Sequence, residues 1–151
     1  MIYTIGEMAK KLGISASTLR YYDSQGLLPF MEHPKGRIRV FTDNDYQWLH
    51  IIECLKMTGM PLKDIRDFLQ MAMQGDETID ARLQLFLKQR EAVEKQLQQL
   101  KETLEVLDFK CWYYETAKTA GTTAVLDKMD TEDFPPEYQK IRRKIMGQSG
   151  L

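Results

Sequence analysis

The chain has few of the residues that build covalent or metal-held frameworks. Only two cysteines and two histidines occur among its 151 residues. Cys54 and Cys111 lie far apart without Cys-x-x-Cys spacing, so the sequence predicts neither a disulfide framework nor a zinc site within one chain. We expect two free thiols in a reducing compartment and no bound metal.

Long apolar runs and catalytic motifs are also missing. Glu7, Lys10 and Lys11 interrupt the apolar residues of the N-terminus, which argues against a signal peptide, and no run reaches the roughly 18 apolar residues of a membrane span. The sequence contains no Walker loop and no His-Glu-x-x-His, Gly-x-Ser-x-Gly or Gly-x-Gly-x-x-Gly motif. We therefore predict a cytoplasmic protein that is not an enzyme, has no cofactor and does not bind a membrane.

Positive charge is concentrated at the start of the chain. The net charge is −1, but residues 1–41 carry six Lys/Arg against three Asp/Glu, which leaves −4 for residues 42–151. A local charge of +3 gives weak support for a nucleic-acid partner, because most such imbalances are solvated surface. The composition, 43% apolar and 28% charged, is that of an ordinary globular chain.

Residues 4–22 have the pattern of two short helices that meet at Gly13. Thr4 and Glu7 form a capping box for the first helix, and Ser15 caps a second helix that is predicted to run to about residue 25. Glycine ends a helix cheaply because it accepts a positive φ. The inward stripe of the first helix is Ile5, Met8, Ala9 and Leu12.

The second helix has a face suited to DNA. Leu19 and Tyr22 are predicted to point inward, and the other side carries hydrogen-bond donors for phosphates and base edges in a major groove. The alternative is an αα-hairpin in any helical core. The outward residues are Ser17, Thr18, Arg20 and Tyr21.

A small β-hairpin, or wing, is predicted to follow. Residues 33–36 (His-Pro-Lys-Gly) fit a type I turn, and residues 37–40 then alternate charged and apolar side chains. The alternation predicts Ile38 and Val40 on the core, with cationic Arg37 and Arg39 on the opposite face and Lys35 near the tip. Such an edge can run beside a phosphate backbone, although a solvated hairpin face is the alternative.

Two further helices are predicted to cover the first pair. Thr42 begins a third helix with acidic residues in its first turn, and Pro61 opens a fourth that ends near Gly75. The predicted buried stripes are Trp48, Ile51, Ile52 and Leu55 in the third helix, and Leu62, Ile65 and Leu69 in the fourth.

From Ile79 to Tyr114 apolar residues recur at alternating intervals of three and four, the pattern of a coiled coil. A single long stripe cannot be buried against so small a chain, so the helix is predicted to pair with a second copy. Arg90 is the one charged residue on this seam. The predicted dimerisation residues are Leu83, Phe86, Val93, Leu97, Leu100, Leu104 and Leu107.

Beyond Tyr114 the period is lost. Residues 137–146 fit a last amphipathic helix with Tyr138, Ile141 and Ile145 inward. One interpretation is a tail packed on the dimer. The other is an effector pocket lined by this tail together with Trp112, Tyr113 and Tyr114.

Three segments together resemble the N-terminal signature of the MerR family of bacterial transcription regulators. They are residues 17–23 (Ser-Thr-Leu-Arg-Tyr-Tyr-Asp), 26–29 (Gly-Leu-Leu-Pro) and 37–41 (Arg-Ile-Arg-Val-Phe). The resemblance covers roughly residues 2–75 in detail and beyond that extends to a long dimerisation helix. It implies a homodimer with antiparallel long helices on a palindromic promoter, which family members distort so that RNA polymerase can engage it. It also implies a second wing in which Lys63 and Arg66 contact phosphates.

The resemblance also bears on the effector. Residues 52–60 (Ile-Glu-Cys-Leu-Lys-Met-Thr-Gly-Met) resemble the aldehyde- and electrophile-responsive branch, whose members carry a lone cysteine at the position of Cys54. Cys54 is thus the candidate sensor thiol, and a buried structural cysteine is the alternative. Metal sensing is disfavoured, because metal-sensing members place cysteines at the start of the dimerisation helix, and residues 79–83 contain none.

The predicted fold is mainly α. Residues 1–75 are expected to form a winged helix-turn-helix DNA-binding domain, residues 76–118 a dimerisation helix and residues 119–151 a C-terminal tail. The predicted function is a transcription regulator that binds double-stranded DNA. A coiled-coil interaction protein without specific DNA binding is the alternative from another class.

Overall fold

The computed structural model describes residues 1–31 and 38–148. The elements are, in order, β1 Ile2–Thr4, α1 Ile5–Leu12, α2 Ala16–Ser24, β2 Val40–Thr42, α3 Asp43–Met57, α4 Leu62–Gln74, α5 Ile79–Ala120, α6 Ala124–Asp127 and α7 Pro136–Gln148. Short 3₁₀ turns lie at Asp76–Thr78 and Thr131–Asp133. The predicted mainly α fold with an N-terminal helix-turn-helix and one long helix is confirmed.

The chain separates into two compact units, Met1–Val93 and Glu94–Leu151. Both include part of α5. This division by packing differs from the domain boundaries predicted from the sequence, because the first turns of α5 pack on the N-terminal unit. Within the described ranges, no helix is both long enough and apolar enough to cross a membrane.

The helix-turn-helix forms through local caps. The backbone N–H of Thr4 donates to the Glu7 carboxylate at 2.7 Å, and the N–H of Glu7 donates back to the Thr4 hydroxyl at 3.3 Å. Gly13 ends α1 with a φ of 72°, and the Ser15 hydroxyl caps α2 by accepting the N–H of Thr18 at 3.0 Å. The predicted capping box and turn are confirmed.

The strand before α3 pairs with the N-terminus. β2 runs antiparallel to β1, with Tyr3 opposite Phe41. Phe41 is buried, whereas Ile38 is 88% and Val40 50% exposed. The prediction that Ile38 and Val40 lie on the core is therefore wrong. Residues alternate in a strand, and pairing with β1 turns the odd-numbered side chains inward.

The third and fourth helices begin where their caps predict. Thr42 and Asp45 form a second capping box, and Pro61 precedes the first turn of α4. Ile51 is 36% exposed, so its predicted place in the buried stripe is wrong. The helix turns Leu49 inward instead, with an exposure of 0%.

The apolar core of the N-terminal unit is formed mainly by α1 to α4 and β2. Trp48 packs at its edge, stacked on Phe30 with ring centroids 5.8 Å apart. Burial of this many large apolar side chains is the main favourable term in the folding of such a domain. The fully buried members are Met8, Leu19, Tyr22, Leu27, Leu28, Phe41, Leu49, Ile52, Ile65 and Leu69.

The start of α5 is fixed to this unit. Leu85 packs against the core, and the Gln89 side-chain amide donates to the Thr58 carbonyl at 2.9 Å. The Thr78 hydroxyl donates to the Met71 carbonyl at 2.6 Å and closes the junction between α4 and α5. One side of the helix thus faces its own chain.

The C-terminal unit has a small aromatic core. Phe109, Phe134 and Leu126 are buried, and Trp112 and Tyr138 pack around them. The guanidinium of Arg142 lies 3.8 Å from the Phe134 ring centroid. It donates hydrogen bonds to the backbone carbonyls of Leu126 at 3.3 Å and Met129 at 2.9 Å. The tail from Ala124 is thereby held against α5 within this unit, and the predicted inward side of the last helix is confirmed.

Candidate nucleic-acid interface

The second helix of the motif, α2, presents a polar surface to solvent. Ser17 and Arg20 are exposed, and Tyr21 is half exposed. The Thr18 side chain is half-buried and its hydroxyl lies 2.8 Å from that of the Ser15 cap. The sequence thus predicted correctly which side of α2 faces outward.

The inward side of α2 is held by more than apolar packing. Tyr22 is fully buried, and its hydroxyl donates to the Glu53 carboxylate in α3 at 2.5 Å. The same hydroxyl accepts a hydrogen bond from the Lys56 ammonium at 2.6 Å. Sequence analysis identified Tyr22 as a core residue but had no signal for its partners, which lie more than thirty residues away.

An ion pair links α2 to the segment before β2. Arg39 pairs with Asp23, and both are less than half exposed. Together with Arg20 they line a shallow depression that Ile5 and Ile38 complete. Arg39 therefore lies on the α2 side of the strand and is already bound to a carboxylate, which differs from the predicted position on the face away from the core.

The tip of the predicted wing lies outside the described residues. It comprises Lys35 and Arg37, with the turn at residues 33–36. Their contact with a phosphate backbone stays a prediction from the sequence.

The two cations predicted in the second wing differ in their surroundings. Lys63 is exposed in the first turn of α4, whereas Arg66 is half-buried. The Arg66 guanidinium donates to the backbone carbonyl of Gln25, at the end of α2, at 3.0 Å. Arg66 thus has a structural partner, and its phosphate contact stays a prediction.

The candidate sensor thiol lies on the outside of α3. The Cys54 side chain is exposed, and its sulfur is 3.8 Å from Nε2 of His50, one helical turn earlier. His50 also stacks on Tyr46, with ring centroids 6.0 Å apart. The thiol is accessible, so the alternative of a buried structural cysteine is wrong. Cys111 is exposed as well.

The predicted dimerisation residues form an exposed apolar stripe along α5. Their exposures run from 37% at Phe86 to 62% at Leu100. Phe86 also contacts its own chain, where it meets the edge of Phe68 at a centroid distance of 5.2 Å. The remainder of the stripe is uncovered in a single chain.

A shallow groove lies in the C-terminal unit, where the sequence suggested an effector pocket. Its walls include Phe109, Tyr113, Tyr114 and Arg142. The Tyr113 hydroxyl donates to Asp127 at 2.8 Å at its edge. Trp112 packs into the aromatic core, whereas Tyr113 and Tyr114 line this groove.

Comparison with known proteins agrees with this geometry. Residues 3–72 match the model of the MerR HTH family regulatory proteins, and residues 46–108 match that of the MerR DNA-binding region. An HTH-type transcriptional regulator of Haemophilus influenzae is 45% identical over 127 residues, which cover 84% of this chain and 94% of the relative. The transcriptional regulator AdhR of Bacillus subtilis is 30% identical over 87 residues, 58% of this chain and 62% of AdhR.

A solved structure extends the match to a complex with DNA. The crystal structure of HiNmlR, described as a MerR family regulator lacking the sensor domain and bound to promoter DNA, is 46% identical. It superposes with a TM-score of 0.63 and covers 83% of this chain and 99% of HiNmlR. The helix-turn-helix, the long helix and these relatives together establish that this chain belongs to the MerR family of DNA-binding transcription regulators.

Proposed function

We propose that this regulator acts as a homodimer on a palindromic promoter element, with α2 of each copy in a major groove. The observation that carries the proposal is the outward face of α2, where Ser17, Arg20 and Tyr21 are open to solvent. The opposite side of the helix is held in the core by the buried side chains of Leu19 and Tyr22. Arginine and hydroxyl donors at such a position read base edges and bind phosphates.

The contacts divide into two kinds. Arg20, with Thr18 and Tyr21, is assigned to the groove, where its guanidinium can donate to guanine. The basic residues outside α2 are assigned to the phosphate backbone, which sets register and does not read sequence. These are Lys35, Arg37, Arg39, Lys63 and Arg66.

The dimer is assigned to the apolar stripe of α5. Leu97 and Leu100 are 52% and 62% exposed in a single chain, and the residues of α5 between 91 and 108 are all exposed. A second copy of the same helix can cover such a stripe by knobs-into-holes packing. A two-fold dimer then matches half-sites about one helical turn apart, near 34–36 Å, and presents a symmetric surface for RNA polymerase at the promoter.

Selection from a random DNA duplex library with the full chain tests this function. We expect a palindromic site to emerge. Arg20→Ala should weaken binding to that site and relax base preference at one position of each half-site. Arg37→Ala should weaken all duplexes alike and lower the slope of log K against log salt by roughly one unit. Failure to enrich any sequence would overturn specific recognition and favour the coiled-coil interaction protein.

We further propose that Cys54 is the site at which thiol-reactive electrophiles such as aldehydes act. The thiol is accessible, and its sulfur lies 3.8 Å from Nε2 of His50, within the range of a hydrogen bond. The family resemblance around residues 52–60 supports this assignment, and so does the partial similarity to AdhR, which extends over 87 residues. An adduct at this exposed position would change the outward surface of α3.

The two exposed cysteines supply a matched pair for the test. Cys54→Ser should abolish the change in promoter output under aldehyde challenge, and Cys111→Ser should respond like the parent chain. Alkylation of the native protein followed by peptide mass mapping would show which thiol reacts first. If Cys54→Ser kept the full response, the groove lined by Phe109, Tyr113 and Arg142 would become the candidate effector site.

A further inference from the structure

A hydrogen-bonded contact between the inward side of α2 and α3 involves three side chains, Tyr22, Glu53 and Lys56. Lys56 donates to the Tyr22 hydroxyl at 2.6 Å, and the hydroxyl donates in turn to Glu53 at 2.5 Å. The Lys56 ammonium also lies 4.9 Å from the centroid of the Tyr22 ring. We refer to these three residues as the tyrosine bridge. It joins the last turns of α2 to the second half of α3.

The chemistry of the bridge suits a rigid link. Burial raises the pKa of the Tyr22 hydroxyl, and the hydrogen bond to Glu53 adds to the rise, so that the hydroxyl stays protonated and donates. Both partners carry charge, and hydrogen bonds to charged groups are shorter and stronger than neutral ones. The buried ring fixes the position of the hydroxyl, while Glu53 and Lys56 lie one turn apart on the same side of α3.

The tyrosine bridge lies on the inward side of α2, opposite the side that is proposed to enter the major groove. Tyr22 follows Arg20 and Tyr21 in α2, and these project outward while Tyr22 projects inward. Apolar packing around Leu19 and Tyr22 is not directional, so it resists separation of the helices better than rotation of α2 about its own axis. A directional hydrogen bond at the end of the Tyr22 ring restrains that rotation.

We propose that the Tyr22 hydroxyl is a positioning group for sequence recognition, because the tyrosine bridge fixes the orientation at which α2 presents Arg20 and Tyr21 to the bases. The inference rests on the proposed place of α2 in the major groove. If α2 has to be oriented during binding, part of the interaction free energy is lost to that ordering. Base contacts then lose more binding free energy than phosphate contacts, because phosphate contacts tolerate small rotations.

Tyr22→Phe tests the proposal, because it keeps the buried ring and removes only the hydroxyl. Affinity is measured for the duplex selected by the parent chain and for an unrelated duplex, over a range of salt concentrations. We expect about fivefold weaker binding to the selected duplex, unchanged binding to the unrelated one and an unchanged salt slope. Tyr3→Phe is the matched control, since it removes a tyrosine–carboxylate hydrogen bond of 2.8 Å, to Asp43, that does not involve α2, and should change neither affinity.

A readout without DNA separates this inference from the proposed function. Amide hydrogen exchange in α2 should be faster in Tyr22→Phe than in the parent chain. Unchanged exchange, or unchanged affinity for a duplex that the parent selects, would overturn the positioning role. If the parent selected no duplex at all, the proposed function would fail, and faster exchange would then establish only that the bridge stiffens α2, which overturns its role in recognition.

The partners of the hydroxyl provide a second route. Glu53→Leu removes the acceptor, and Glu53→Gln keeps one, so the leucine variant should lose specific affinity and the glutamine variant should recover most of it. If Tyr22→Phe did not fold, these substitutions at a half-exposed position decide the question. Lys56→Met tests whether Lys56 contacts a phosphate directly. Loss of such a contact would lower the salt slope by roughly one unit and weaken binding to both duplexes.

Discussion

The guanidinium group of Arg66, in α4, donates a hydrogen bond of 3.0 Å to the backbone carbonyl of Gln25, the C-cap residue of α2. The last carbonyls of a helix have no partner within it, and a cation there also interacts favourably with the helix dipole. Arg66 thus acts as a side-chain cap on α2, supplied by a helix about forty residues further along the chain.

Replacement of Arg66 by alanine should therefore lower stability. We expect the free energy of unfolding to fall by about 1 kcal/mol, the net value of a typical hydrogen bond, because the half-exposed position screens the charge. Urea denaturation followed by circular dichroism measures the change. Lys63→Ala, at an exposed position of the same helix, is the control and should change stability little. A fall of one unit in the salt slope of DNA binding in Arg66→Ala would show that Arg66 also contacts a phosphate.

The contrast between Arg66 and the helix caps shows what the sequence could predict. Thr4 with Glu7, and Thr42 with Asp45, lie three residues apart, so the geometry that joins them is set by one turn of helix. The starts of the helices could therefore be predicted from the residues alone. The partner of Arg66 is forty-one residues away, and no local pattern identifies it.

The prediction for the strand before α3 is wrong for the same reason, because its partner is also distant in the sequence. Its charged and apolar residues alternate, which fixes two possible faces but not which of them is inward. Pairing with β1, about forty residues earlier, makes that choice and places Phe41 in the core and Ile38 in solvent. Within the candidate interface, the exposed side of α2 was predictable from its period. The pairing of Arg39 with Asp23 was not, because it depends on that strand.

The capping box of α1 predicts a specific response to acid. The backbone N–H and then the hydroxyl of Thr4 hold the pKa of the Glu7 carboxyl below its ordinary value of 4.5. A lowered pKa means that the ionised group stabilises the folded state above the ordinary value, and that this contribution is lost as the pH falls through the lowered pKa of the folded state.

Glu7→Gln removes the titrating group and keeps a hydrogen-bond acceptor. Thermal unfolding of the parent and the variant should differ most near neutral pH, where the charge of Glu7 also favours the helix dipole, and the difference should shrink as the pH falls below 4.5. Glu91→Gln, at an exposed position in the interior of α5, is the control for a generic change in net charge. A constant difference between parent and Glu7→Gln at all pH values would contradict the capping role of the charge.

The last prediction concerns the apolar stripe of α5. Leu97 is 52% exposed in a single chain, and the proposed dimer would remove it from water against a second copy. Leu97→Glu would then place an unpaired charge on each side of a two-fold seam, which should raise the dissociation constant of the dimer by roughly 100-fold or more. Sedimentation velocity over a range of concentrations measures this change.

Gln99→Glu is the matched control for Leu97→Glu, because it adds the same side chain to the same exposed stretch of α5 but off the predicted stripe. It should sediment as the parent does. Glutamate is a good helix former, so circular dichroism should show unchanged helix content in both variants. If Leu97→Glu remained as stable a dimer as Gln99→Glu, α5 would not form the dimer interface. Binding to a palindromic duplex would then require another surface to hold two copies of α2 one helical turn apart.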